Sequence, residues 1–192
     1  MKKDDNGVYG IGSTSGGTYK NLKIAGSTTV NEDCKAEKIS IAGSANFKQS
    51  VTAKAIKVAG SCHVGGNIKT EKLKVAGSFK ALGNIDAEVA NLAGVVTVEG
   101  DVNCEDFTAC LASSSFKNIY GENITFDDND GITSKTTVDE IAATTIEINN
   151  IKAKKISGEF VTIGNNCHVE LIEYNNTLTV SKNSKIERIV KL

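Results

Sequence analysis

The residues Ile24-Ala25-Gly26-Ser27 return as Ile41-Ala42-Gly43-Ser44, Val58-Ala59-Gly60-Ser61 and Val75-Ala76-Gly77-Ser78, with a worn copy at Leu92-Ala93-Gly94. The step is 17 residues each time, without insertion. A unit this short cannot bury an apolar face alone, so it has to stack on its neighbours as a solenoid.

Stacking the rows from Leu22 shows which positions make the core. The first position reads Leu22, Ile39, Ile56, Leu73, Ala90, Phe107, Ile124, and the third Ile24, Ile41, Val58, Val75, Leu92, Ala109, Phe126. The ninth reads Val30, Phe47, Val64, Ala81, Val98, Ser115, Ile132, and the thirteenth Cys34, Val51, Ile68, Ile85, Val102, Ile119. The fifteenth is small: Ala36, Ala53, Thr70, Ala87, Cys104, Gly121. Apolar residues alternate within a row and are mostly β-branched, which is the pattern of half-buried strands and not of helices.

Three corners recur in register. Positions 4 and 5 are Ala-Gly in the first five rows. Position 12 is Asp33, Ser50, Asn67, Asn84, Asp101, Asn118, residue types that hydrogen-bond their own backbone in turns. Position 16 is Glu37, Lys54, Glu71, Glu88, Glu105, Glu122. Three corners and three short faces predict an all-β fold, a single-stranded parallel β-helix (β-solenoid) of triangular cross-section with about 17 residues per turn. The carboxylates of position 16 are expected about 5 Å apart along a solvated edge that resists lateral aggregation.

Residues 1–18 are polar and Gly/Ser-rich and are expected to form a flexible tail; 19–126 form regular turns, and 127–192 continue the helix with irregular ones. In that last part Ile119-x-Gly121-x-x-Ile124 is echoed by Ile141-x-Ala143-x-x-Ile146 and by Ile151-x-Ala153-x-x-Ile156, steps of 22 and 10. Val161-x-Ile163 and Val169 recur 17 later as Leu178-x-Val180 and Ile186.

The chemistry-bearing residues are sparse. Gly12-Ser13-Thr14-Ser15-Gly16-Gly17 lacks the Lys-Ser/Thr ending of a phosphate loop. Asp127-Asp128-Asn129-Asp130-Gly131 fails the calcium-loop spacing, because Phe126 and Thr137 would hold the first and last ligand positions. Cys62-His63 and Cys167-His168 share a row position but lie several turns apart, too far for one zinc ion. Two histidines are too few for a trihistidine zinc site, the hexapeptide of solenoid acyltransferases is absent, and no loop insertions over 22–123 build a lyase cleft. No catalytic, cofactor-binding or metal residue is expected, and no enzymatic activity.

A net charge of -1 gives no basic field toward nucleic acid, and no run of 18 apolar residues predicts an integral membrane segment. Five cysteines without CxxC spacing and no secretory leader predict a cytoplasmic protein with reduced thiols.

Gly83-Asn84-Ile85, Gly100-Asp101-Val102, the Ala-Gly-Ser corners and the loop-free rows resemble the bactofilins, bacterial polymer-forming cytoskeletal proteins. The ending, Val161 to Tyr174, then Leu178, Val180 and Ile186 to Leu192, resembles the C-terminus of bactofilin-like cytoplasmic proteins of Gram-positive bacteria. The resemblance covers 19–192. It implies a right-handed coil, end-to-end filaments formed without nucleotide, and cell-envelope or shape-determining partners. The sequence departs from that pattern in having no Pro-rich flanks.

Assembly is also expected on physical grounds, since each solenoid end exposes unpaired backbone and a layer of core side chains. The candidate ends are Tyr19, Leu22 and Ile24 on one side and Ile186, Ile189, Val190 and Leu192 on the other. The alternative is a monomeric β-solenoid binding module or cell-surface adhesin.

Overall fold

The computed structural model describes residues 6–127 and 136–192, with side chains from residue 10 onward. The chain is a β-solenoid of about ten turns, with 81% of residues in strands, and no helix occurs among the described residues. Every strand pairing is parallel.

The strands are β1 (Asn6–Thr14), β2 (Gly17–Val30), β3 (Cys34–Ile41), β4 (Ser44–Phe47), β5 (Val51–Val58), β6 (Ser61–Val64), β7 (Ile68–Ala81), β8 (Ile85–Leu111), β9 (Ser115–Phe126), β10 (Thr136–Ile148), β11 (Ile151–Ile163), β12 (His168–Val180) and β13 (Lys185–Lys191). At 27 residues β8 runs through more than one whole turn.

The register matches the 17-residue rows. Leu22 pairs with Ile39, Ile39 with Ile56 and Ile56 with Leu73. All four are buried, at 0 to 5% exposure, so the first column is an inner wall of the coil. Large and small side chains complement each other along it: Ala90 and Ala109 leave room that Phe107 and Phe126 fill, their rings 5.2 Å apart with Phe116 against both.

The position-12 corner works differently from a self-contained turn. Ser50 N–H donates to Asp33 Oδ1 (3.0 Å), Asn67 N–H to Ser50 Oγ (3.2 Å), Asn84 N–H to Asn67 Oδ1 (2.9 Å) and Asp101 N–H to Asn84 Oδ1 (3.0 Å). Each side chain satisfies the corner amide one turn on, where the strand ladder is interrupted. Short polar side chains therefore take the corner amides, while the corner carbonyls still accept backbone N–H groups from the turn before, as Ser50 O does from Cys34 and Asn67 O from Val51.

Three sequence expectations change. Asn6–Thr14 is a strand, not a tail: β1 pairs with β2 from Asn6↔Leu22 to Thr14↔Val30. Ladder hydrogen bonds are a backbone property, and a Gly/Ser-rich segment can make them without apolar alternation. In the ninth column Val98 is followed by Phe116, not Ser115. The Ala112–Ser114 corner holds one residue more than its predecessors, and a one-residue slip exchanges the inner and outer faces. Ser114 is buried there and its Oγ accepts the Val96 N–H at 2.9 Å. Finally, Ile141 pairs with Ile156, not Ile151, which pairs with Thr136. The steps after Ile119 are thus 22, 15 and 16, read from Ile119↔Ile141, Ile141↔Ile156 and Ile156↔Ile172. The step of 17 to Leu178, Val180 and Ile186 is as expected. The calcium-loop candidates 128–131, and Ile132, lie outside the described residues.

Candidate assembly surfaces

The two predicted ends are not equivalent. Leu22 and Ile24 are 0% and 1% exposed, because β1 lies over them; Tyr19, also 0% exposed, lies outside the β1 pairing and is buried within its own turn. The Tyr19 hydroxyl donates to the Gly16 carbonyl at 2.9 Å and lies 3.2 Å from Thr14 Oγ1, so this ring closes the first turn instead of presenting a contact surface. The outer strand on that side is β1, with Ile11 fully in solvent.

The other end is open. β13 pairs with His168–Tyr174 of β12 and with no strand beyond. Thr177–Val180 pairs back to Phe160–Ile163 and, among the described residues, has no strand on its far side. Columns buried elsewhere surface here: Val180 is 36% exposed, Ile189 50% and Ile186 is half-buried. Leu192, 69% exposed, adds an apolar side chain in a column that is exposed along most of the rod, and Val190 is half-buried. The described residues offer no polar side chain that roofs this layer. The nearest polar pairs lie on its flanks: His168 Nε2 to Glu187 at 2.9 Å, and Lys155 between Glu173 at 3.1 Å and Glu140 at 3.6 Å. The hydrogen bond to Glu173, then its charge, raises the Lys155 pKa above its ordinary value.

A second surface was only half visible in the sequence. The small fifteenth column sits at a concave bend, where the ladder skips one residue between Ala36 and Lys38 and at each equivalent place. The result is a trough of about 570 Å³ parallel to the rod axis, floored by Ala36, Ala53, Thr70, Ala87 and Cys104. Its rims carry the exposed residues on either side, from Lys35 and Lys54 at one end to Glu88 and Glu105 at the other. A shallower stretch continues over Gly121, Ala143 and Gly158 to Leu192. The column runs from Tyr19, which pairs with Ala36, through the small residues to Tyr174, which pairs with Gly158, and on to Lys191. The run of small residues between the two rings is what leaves the trough open.

The rim charges follow the chain's linear charge pattern. Residues 1–80 hold thirteen Lys and six Asp or Glu, and residues 81–150 hold two Lys and thirteen Asp or Glu. A coil turns sequence position into axial position, so a basic band lies next to an acidic one. The acidic band is partly relieved by amides, with Asn103 Nδ2 donating to Asp86 and Asn123 Nδ2 to Asp106, both at 2.9 Å.

Burial pushes the Cys34 thiol up to about 11 and that of Cys62 up to about 12. Burial, with a contribution from Asp106, does the same to Cys104, also to about 12. These thiols are neither nucleophiles nor ligands at neutral pH. His63 and His168 do stand in one column, which runs through Lys80, Thr97, Ser115, Thr137 and Lys152. Six strand spacings separate them, about 29 Å. No group of three metal-binding side chains occurs among the described residues. No helix is long and apolar enough to cross a membrane.

Fold and surfaces together define a repetitive β-solenoid with an uncovered apolar layer at β12 and β13 and a charged longitudinal trough. The chain matches no family model, no curated protein and no solved structure.

Proposed function

We propose that this chain is a non-catalytic, cytoplasmic, polymer-forming scaffold, a bactofilin-like element whose copies add end to end without nucleotide. The supporting observation is the open edge at β12 and β13, where Val180 and Ile189 surface from columns that are otherwise buried and Leu192 stands exposed beside them. An uncovered parallel edge accepts another strand, and the apolar layer behind it supplies the driving force.

The register favours a copy arriving in the same direction. Asn6–Val8 of β1 occupies the same columns as Leu178–Val180, and Gly17–Tyr19 the same columns as Ile189–Lys191. β1 of the incoming copy then lies over Leu178–Val180, the start of β2 lies over the end of β13, and the ladder continues without angular offset. The sides of such a rod would display the chain to cell-envelope or shape-determining partners.

Electron microscopy across protein concentration tests this. Wild type is expected to form filaments, and Ile189→Lys short dispersed rods with an unchanged β-sheet circular dichroism spectrum. A charge at Leu22 is no test, because that residue is core. Dispersed wild-type rods at every concentration would overturn the reading in favour of a monomeric binding module. So would filaments that persist in both Ile189→Lys and Leu192→Lys.

A further inference from the structure

We propose that the trough over residues 35–105 is a self-recognition surface through which two copies pair side by side in opposite directions. The proposal is independent of end-to-end growth. It rests on the trough and on the charge bands along its rims. Lys20, Lys38 and Lys54, and Glu88 and Glu122 opposite them in sign, form no ion pair among the described residues.

The rim is self-complementary about its middle. Lys20, Glu37, Lys54, Glu71, Glu88, Glu105 and Glu122 follow one another at steps of 17 in the column beside the floor. A two-fold axis lying across the trough at the level of Thr70 reverses the rod and leaves each column facing itself. Lys54 then opposes Glu88 of the partner subunit, and Lys20 opposes Glu122 of the partner subunit. In the neighbouring column Lys38 opposes Asp106 of the partner subunit. Each pairing occurs twice by symmetry. Like charges meet where Glu37 faces Glu105 of the partner subunit and, on the axis, where Glu71, Lys69 and Lys72 each face their own copy, the carboxylates there flanked by the lysines of the same turn. Parallel pairing in register would instead keep the acidic turns of one copy against those of the other, with Asp86 facing Glu88 of the partner subunit, and leave the carboxylate band uncompensated.

The floor of small side chains lets the rims approach. Seven turns from Lys20 to Glu122 span about 29 Å, and four residues across span about 13 Å, a patch on the order of 400 Å² per copy. Stable interfaces use about 800 Å² per partner, so this contact is weak and steered by charge. It should be strong at low ionic strength and screened at high salt.

The test is sedimentation of the full chain carrying Ile189→Lys, which blocks end-to-end growth, at ~0.01 M and ~0.5 M salt. A dimer is expected at low salt and a monomer at high salt. Lys54→Glu should weaken the dimer by about tenfold or more, and the exchange Lys54→Glu with Glu88→Lys should restore it. Glu71→Cys, next to the axis, should oxidise to a disulfide-linked dimer. Glu122→Cys should form one only when mixed with Lys20→Cys. Each variant is checked for an unchanged β-sheet spectrum. A monomer at low salt, a dimer indifferent to Lys54→Glu, or a folded double exchange that stays monomeric would each overturn the proposal. Lateral pairing that survives in Ile189→Lys keeps this result separate from the fate of the filament reading.

Discussion

Gly60 is the position where one methyl group should cost most. It belongs to the stack Gly26, Gly43, Gly60, Gly77, Gly94 at one corner of successive turns. A Cβ at Gly60 would press on the Gly43 carbonyl oxygen, well inside the 3.0 Å that real side chains keep. That atom is backbone and accepts the Ser61 N–H at 2.8 Å, while Gly60 O accepts the Ser78 N–H at 2.9 Å. Relief therefore requires the turns to part and strains two or three ladder bonds, each worth about 1 kcal/mol. Against this, Gly60 does not need a left-handed backbone, and alanine restricts the unfolded chain, a gain of roughly 0.4–1 kcal/mol. The contact outweighs the entropy, and Gly60→Ala should destabilise by about 2 kcal/mol. Guanidinium unfolding followed by far-UV circular dichroism measures it, with the neighbouring exposed Ala59→Ser expected within about 0.5 kcal/mol of wild type. Solenoid stability is a sum of turn and interface terms, so a weakened junction at Gly60 should also lower the m-value as the two sides begin to unfold separately. A Gly60→Ala protein as stable as wild type would show that the corner yields, and that the repeated glycine is not there for close approach.

Thr28 is buried, and its hydroxyl finds no hydrogen-bond partner. Thr28→Val removes that unmet group at nearly constant shape and should raise stability by roughly 1 kcal/mol in the same unfolding assay; a loss would mean that the hydroxyl is satisfied in solution. Cys34, Cys62 and Cys104 carry raised pKa values and, like Cys167, are buried, whereas Cys110 is half-buried. A thiol reagent should label at most one cysteine per native chain quickly and all five after unfolding. Fast labelling of two or more would show that the coil opens locally.

The inner columns were legible because a constant step leaves each column one chemical type, so misalignment shows at once. Leu22, Ile39, Ile56 and Leu73 could be stacked from spacing alone. What failed were features carried by backbone or by context. β1 has glycines at residues 7, 10 and 12 and no inward apolar pattern of the later kind, so nothing in its composition announces a strand; its ladder to β2 does. The slip at Ala112–Ser114 changes one residue, and Ser115 beside Phe116 signals it only if the reader lets the ruler move. Ile151 was misplaced because Ile-x-Ala-x-x-Ile fits two faces equally well. The small fifteenth column was visible in the sequence, but the bend that makes it a trough depends on a skipped ladder position. Leu22 and Ile24 are core for the same reason: β1 lies over them, whereas Gly17–Tyr19 has no strand of β1 on its outer side.

The net charge of -1 shows how much a whole-chain sum conceals in this architecture. In a globular domain, blocks of lysine and of carboxylate are mixed by folding, and neighbours of opposite sign neutralise each other locally. A solenoid cannot mix them, because each turn touches only the turns before and after it. Lys54 meets Glu37 and Glu71 of its own rod at one strand spacing, but the bulk of the basic band lies beyond a Debye length of about 8 Å from the acidic one at physiological salt. Compensation inside one copy is therefore incomplete, and the charge that remains unmatched is compensated best by a second rod running the other way. The same repetition that defines the core thus sets the rule for association. Stacking in one direction extends the ladder, and pairing in opposite directions cancels the bands. The two proposed contacts use different surfaces, Ile189 and Leu192 for one and Lys54 and Glu88 for the other, so on this proposal lengthening and bundling are separable by substitution.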